Sequence, residues 1–145
     1  MDKEKKQRKL DEFCSEGNLE HYREELRVIF DMIELGGCNI SSRTDEHSSQ
    51  HSFSKEGCMI RVSLKSCYDD PLDIIWTILH EYGHHLSGMS AVGRLSREHK
   101  LDRERKAWDH AEKLLPQFPR LFQNKEAFNH YREQCLNTYN EGYMR

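Results

Sequence analysis

His80 and His84 have the spacing of two metal ligands on a helix. They are the first and last residues of an HExxH motif, in which Glu81 follows the first imidazole. Residues four apart share a helical face, so both rings can point at one ion, with Glu81 beside it as a general base for bound water. Zinc is the expected ion, because imidazole suits it and a catalytic site needs three protein ligands and one open position. The alternative is a pair of ordinary histidines hydrogen-bonded to neighbours.

A third ligand is expected from the next helix, predicted over 96–115. Glu104 is the one charged member of its apolar row. The apolar members are Leu101, Ala107, Trp108, Ala111, Leu114 and Leu115. A carboxylate in a core-facing row is expensive unless it is paired or binds a metal, so Glu104 is predicted to be the ligand. The alternative is an edge position that reaches outward or pairs with Arg61. Fallback ligands off the row are Glu98, His99, Asp102 and His110.

The HExxH motif lies in a helix predicted over 71–87. An Asp at 69 or 70 can cap its start, and Pro71 suits the first turn because its missing N–H costs nothing there. Gly88 ends the helix. Apolar residues recur along it at steps of three and four, so it is expected to be largely buried. Imidazoles and a carboxylate on such a helix need polar partners, which a metal would supply.

The rest of the chain predicts an α+β fold that is mainly helical. Asn18 can cap a helix over 18–35 that Gly36 and Gly37 end. Short strands over 39–42, 51–54 and 58–64 predict a small three-stranded antiparallel or mixed sheet, with a hairpin turn at 55–57 and a loop over 43–50. A last helix is predicted over 125–139. Residues 1–17 are expected to be a charged, frayed N-terminal arm, and 18–145 a single domain.

The composition predicts a compact cytoplasmic domain. Of 145 residues, 32% are charged and 36% hydrophobic, the net charge is −3, and no apolar run is long enough for a membrane span or a signal core. Five cysteines form an odd set without CxxC spacing, which argues against a disulfide framework and predicts reduced thiols. A nucleic-acid partner is disfavoured, because the basic residues over 94–106 alternate with acidic ones.

The chain resembles the ImmA/IrrE-type zinc peptidases, small gluzincin-like proteins often linked to phages and mobile elements. The resemblance covers 58–115 and rests on the HEYGH helix, a gap of nineteen residues, and Glu104 with Ala107 as an ExxA pattern. It departs at Trp108, where family members commonly have Asn. It implies a minimal zincin fold in which Glu104 supplies the third zinc ligand. It also implies an edge strand beside the HExxH helix, at 59–64 or 51–54, that holds a polypeptide substrate in extended form.

The expected activity is zinc-dependent cleavage of a protein substrate such as a regulator. Glu81 takes a proton from the attacking water and later returns it to the leaving amine. Candidates for stabilising the oxyanion are His51, Tyr82, His85 and His110. Asp73 and Asp109 are candidates for orienting a ligand imidazole. The alternative is a zinc-binding regulatory or interaction protein with weak catalysis on the same fold, and a regulatory protein partner is a further expectation.

Overall fold

The computed structural model describes residues 3–43, 50–54, 57–64, 68–88 and 97–144. Along the chain the elements are α1 (Lys3–Glu16), a 3₁₀ turn (Glu20–Tyr22), α2 (Arg23–Leu35), β1 (Cys38–Arg43), β2 (Gln50–Ser54), β3 (Gly57–Ser63), α3 (Leu72–Leu86), α4 (Arg97–Leu114), a second 3₁₀ turn (Leu115–Gln117), α5 (Pro119–Phe122) and α6 (Lys125–Met144). The predicted α+β, mainly helical class is confirmed. Within the described ranges, no helix combines the length and apolar character needed to cross a bilayer.

The chain divides into two compact units, residues 1–78 (unit 1) and 79–145 (unit 2). Unit 1 contains α1, α2 and the strands. Unit 2 contains α4 to α6, and the boundary falls inside α3. In unit 2 the predicted last helix is present but longer than expected, because α6 continues to Met144.

The strands of unit 1 form a mixed sheet in the order β1-β3-β2. β1 runs parallel to β3, with Cys38 opposite Cys58, and β2 runs antiparallel to β3, with Ser54 opposite Gly57. Each predicted strand is found within one residue at either end. Residues 44–49 of the predicted loop, and Lys55 and Glu56 of the predicted hairpin turn, lie outside the described residues.

β3 is the middle strand, which corrects one expectation about the substrate. A strand that holds an extended peptide must have unpaired backbone N–H and C=O groups along one side. β3 pairs on both sides, so the strand over 59–64 is the wrong candidate. On the edge strand β1, the Lys9 ammonium donates to the carbonyl oxygen of Ile40 at 2.8 Å. Of the two predicted candidates, the strand over 51–54 remains, because β2 lies at the other edge of the described sheet.

α1 replaces the frayed arm that the charged N-terminal sequence predicted. Leu10, Phe13 and Cys14 are buried, and the Phe13 ring meets the Phe30 ring of α2 edge-on, with centroids 5.1 Å apart. Those three positions follow the i, i+3, i+4 spacing of one helical face. The surrounding charges conceal this narrow apolar face in the overall composition. The division into 1–17 and 18–145 stays a prediction.

Asn18 ends α1 instead of capping the helix that follows. Its φ of +56° is left-handed, and the next N–H, of Leu19, donates to the carbonyl of Cys14 at 2.9 Å. This is the hydrogen bond of a helix C-terminus, where asparagine is tolerated because its short polar side chain suits the left-handed region. α2 therefore begins later than predicted, at Arg23, and it ends at Leu35 before the two glycines, as predicted.

Cys38 and Cys58 form a disulfide, which corrects the expectation of reduced thiols for this pair. The two residues face each other in the parallel β1–β3 register, with Cα atoms 4.6 Å apart. That separation lies within the range a disulfide spans. Their sequence separation of 20 carries no recognisable motif, because the strand register alone brings them together. Cys67 lies outside the described residues.

Candidate metal centre

α3, which carries the HExxH motif, begins at a reciprocally capped turn. The Asp70 carboxylate accepts the N–H of Leu72 at 2.8 Å, and the Asp73 carboxylate accepts the N–H of Asp70 at 3.3 Å. These bonds satisfy donors that the first turn leaves open. Beyond the other end of the helix, Gly88 has a φ of +78°. The predicted helix over 71–87 is confirmed to within one residue at each end.

α4 presents Glu104 on its buried face. Ala107, Trp108 and Ala111 are at most 1% exposed, and Glu104 itself is 8% exposed. The periodic row read from the sequence therefore does face the interior of unit 2. The alternative in which Glu104 reaches outward is wrong, because its carboxylate meets His80 and His84.

α3 and α4 are in backbone contact at Gly83 and Ala107. A Cβ added to Gly83 would lie 2.1 Å from the carbonyl oxygen of Ala107, so no larger residue fits without moving a helix. The absence of a side chain at Gly83 therefore lets the two helices come this close. Glu104 precedes Ala107 by about one turn, so this contact sets how far its carboxylate is from the two imidazoles.

Three ligand atoms converge between the two helices. Oε2 of Glu104 lies 2.7 Å from Nε2 of His80 and 3.2 Å from Nε2 of His84. One donor atom from each residue lies within 4.8 Å of the other two. Neighbouring ligands of a tetrahedral zinc ion with bonds of ~2.0–2.1 Å are about 3.3 Å apart. To bind zinc, the distance from Glu104 Oε2 to His80 Nε2 would have to lengthen by roughly half an ångström, and the distance to His84 Nε2 would hardly change. The group could therefore hold a metal ion.

The two carboxyl groups at this site have pKa values shifted in opposite directions. Burial raises the pKa of Glu81 above its usual range. Burial also acts to raise the pKa of Glu104, but hydrogen bonds with His80 and His84 outweigh it and hold that pKa well below the usual range. An ionised carboxylate only accepts hydrogen bonds, so each Nε2 donates in this arrangement. Glu104 is thus suited to remain an anionic ligand, and Glu81 to exchange a proton.

The chemistry of the donor set tests whether a metal ion fits here. A carboxylate held against two Nε2 atoms at a buried helix contact is a favourable place for a divalent cation, because burial of such groups without a counter-charge is costly. The buried Nδ1 of His84 has no hydrogen-bond partner among the described residues, and ligation through Nε2 would leave it unchanged. The donor set of two imidazoles and one carboxylate is also that of many catalytic zinc sites. The residues present therefore fit a zinc ion.

Trp108 is the residue of this site that the sequence reasoning missed. Its indole lies flat on the His80 ring, with centroids 4.2 Å apart and planes 9° from parallel. From the sequence, Trp108 was a member of the apolar row and a departure from the family pattern, with no role at the metal site. Its position four residues after Glu104 was an available signal, because i and i+4 side chains share a helical face.

None of the other predicted site residues whose side chains are described joins the His80, His84 and Glu104 group. His99, Asp102 and Asp109 are exposed, and His110 is half-buried. Asp73 caps α3. The Tyr82 ring stacks on His85, with centroids 5.6 Å apart, and burial raises the pKa of Tyr82. The side chains of His51 and Glu98 lie outside the described part. No oxyanion donor is distinguished among these candidates.

Comparison of the chain with protein-family models, with curated proteins and with solved structures finds no match. The case for a function therefore depends on the geometry and electrostatics of this site.

Proposed function

We propose that this protein is a zinc-dependent endopeptidase of zincin type. The observation that carries the proposal is the convergence of His80 Nε2, His84 Nε2 and Glu104 Oε2 at the buried contact between α3 and α4. Those residues would hold the ion. When bound, zinc would act as a Lewis acid that lowers the pKa of a water molecule at the site to ~7 and polarises a carbonyl group.

Glu81 acts as the general base in this proposal. It follows the first ligand in the chain, and its Oε1 lies 3.7 Å from Nδ1 of His80. In the metal-free protein, burial raises the pKa of Glu81, so its carboxylate accepts a proton more readily there than an exposed glutamate does. After attack on the scissile carbonyl, the same carboxylic acid protonates the leaving amine. Metal binding alone does not require a carboxylate here, so Glu81 favours catalysis over a purely zinc-binding role.

A polypeptide substrate is proposed because the HEYGH and ExxA residues resemble those of zinc peptidases that act on proteins.

The experiment that tests the proposal compares wild type with Glu81→Gln and Glu133→Gln. Glu133 is an exposed glutamate of α6, so its variant controls for the loss of one carboxylate. Zinc content is measured first. Each protein is then incubated with a host proteome, with and without chelator, and new N-termini are mapped. Wild type and Glu133→Gln should release the same chelator-sensitive termini, while Glu81→Gln keeps its zinc and cleaves at least ~100-fold more slowly.

The outcomes separate the two candidate functions. Undiminished cleavage by Glu81→Gln contradicts the proposed mechanism. One zinc per chain without any chelator-sensitive termini favours the zinc-binding regulatory protein over the peptidase. A wild-type protein that takes up no zinc contradicts both.

A further inference from the structure

The stacking of Trp108 on His80 suggests a role that hydrogen bonds usually fill at metal sites. A ligating imidazole normally donates its second N–H to a carboxylate or carbonyl, which fixes the orientation of the ring. The Glu81 oxygen near Nδ1 of His80 is 3.7 Å away, beyond hydrogen-bond reach. The face of the ring, by contrast, is covered by the indole at a centroid distance of 4.2 Å.

Trp108 is itself in contact with two aromatic rings of α6. Phe128 and Tyr131 of α6 meet it edge-on, with centroid distances of 5.6 and 6.0 Å. Trp108 also shares α4 with Glu104, one turn earlier. The helix that provides the carboxylate ligand therefore provides the surface against which the first imidazole rests, so a movement of α4 would displace both together.

Packing alone does not account for a tryptophan at this position. Its Nε1 is buried without a hydrogen-bond partner among the described residues, and leaving such a donor unpaired is unfavourable. Phenylalanine would fill much of the space without that cost. What the larger indole adds is a wide, electron-rich face, which attracts the positive charge that an imidazole gains when it binds a cation.

We infer that Trp108 is a positioning residue that fixes the His80 imidazole for zinc binding. The inference rests on the proposed function, because it assigns zinc to the site. Trp108 touches the ligand ring, and its effect on the ion acts through that ring. It should therefore change how tightly zinc is held, independently of how stable the fold is.

The test measures zinc dissociation constants by chelator competition, and thermal unfolding of the metal-free proteins, for wild type, Trp108→Phe and Trp108→Leu. Trp108→Leu should bind zinc about tenfold more weakly, as for other lost supports of a metal ligand. Trp108→Phe keeps a smaller aromatic face and should lose about threefold. The melting temperature of the metal-free Trp108→Phe protein should stay within a few degrees of that of wild type, because removal of the unpaired N–H offsets much of the cost of the smaller ring. A purely structural role would not separate affinity from stability in this way.

Phe30→Leu is the matched control, because it removes a buried aromatic ring from unit 1. It should lower the melting temperature and leave the zinc dissociation constant within about twofold of wild type. If Trp108→Leu does not fold, Trp108→Phe alone decides. The inference is overturned if the Trp108 variants that fold bind zinc as tightly as wild type, or if affinity simply follows melting temperature in all variants. A wild type that binds no zinc overturns the proposed function and this inference with it.

Discussion

The two units differ in how far along the chain their buried polar side chains find hydrogen-bond partners. Those described in unit 1 are Ser63, Asp73 and Thr77, and those in unit 2 are Glu81, His84 and Glu104. Two of the unit 1 side chains bond within a few positions of themselves: Thr77 donates to the Asp73 carbonyl at 2.8 Å, and Asp73 accepts from the Asp70 N–H. In unit 2, Glu104 meets histidines 20 and 24 positions earlier in the chain.

This difference implies that the buried polar groups of unit 2 lower the free energy of unfolding of the metal-free protein, whereas those of unit 1 do not. The local bonds of unit 1 complete turns and helix ends, and a disulfide adds a covalent link. Unit 2 buries three titratable groups around one point, an arrangement that is unfavourable unless a cation joins it. We therefore expect unit 1 to be insensitive to zinc and unit 2 to depend on it.

The largest expected effect is the response to zinc itself. At about 1,000 times its dissociation constant, zinc should raise the free energy of unfolding by about 4 kcal/mol. His84→Ala should abolish most of that gain, whereas His130→Ala, at an exposed histidine of α6, should retain it. Thermal unfolding with and without zinc measures both. Equal zinc responses in the two variants would contradict the assignment of the site.

Removal of the disulfide should have the next largest effect, and in unit 1. The Cys38–Cys58 bond closes a loop with a sequence separation of 20. Replacing both residues by Ser should lower the free energy of unfolding by about 3 kcal/mol, because the unfolded chain regains the freedom that the loop restricts. Chemical denaturation measures the loss, and a reductant should reproduce it in wild type without further effect on the variant. Labelling of both thiols in native, unreduced protein would contradict the pairing.

A pair of glycine variants compares the helix contact of unit 2 with a turn of unit 1. Gly83→Ala places a Cβ against the Ala107 carbonyl and should lower the free energy of unfolding by about 2 kcal/mol and weaken zinc binding. Gly37→Ala has open space and only its φ of +83° to overcome, so about 1 kcal/mol is expected, with zinc binding unchanged. Denaturant titration and chelator competition measure the two quantities. Similar zinc affinities in both variants would show that the Gly83 contact does not position the ligands.

The smallest expected effect concerns the buried charge of Glu81 in the metal-free protein. Burial raises the pKa of Glu81 in the folded protein above its ordinary value. The contribution of the protonated side chain to the free energy of unfolding is therefore fully present below that ordinary value and is lost as pH rises through the folded pKa. Glu81→Gln should therefore stabilise the metal-free protein at pH ~7 by about 1 kcal/mol, with no gain at pH ~4. Glu133→Gln, a change at an exposed position of α6, should leave the free energy of unfolding within about 0.5 kcal/mol of wild type. Urea titrations at the two pH values measure the free energy of unfolding of each variant. If Glu81→Gln is less stable than wild type at neutral pH, burial does not disfavour the ionised carboxylate of Glu81.

Local patterns in the sequence were sufficient for most helix and strand boundaries. The caps and period of α3, the end of α2 before its glycines, and the row on α4 that includes Glu104 all depend on residues within a few turns of one another. α1 was missed because its narrow apolar face is hidden among charges. Asn18 was misassigned because asparagine suits both the start and the end of a helix.

Sequence by itself determined that one helix carries two imidazoles and a carboxylate with ligand spacing, and that the next carries a glutamate in an apolar row. Only the tertiary structure decided that these side chains meet, that Gly83 against Ala107 sets their separation, that Trp108 covers His80, and that Cys38 faces Cys58 across the sheet. The physical reason is range. Helix periodicity and capping act between residues a few positions apart, whereas strand register and helix contacts join residues about twenty or more positions apart, and no local pattern specifies which of them pair.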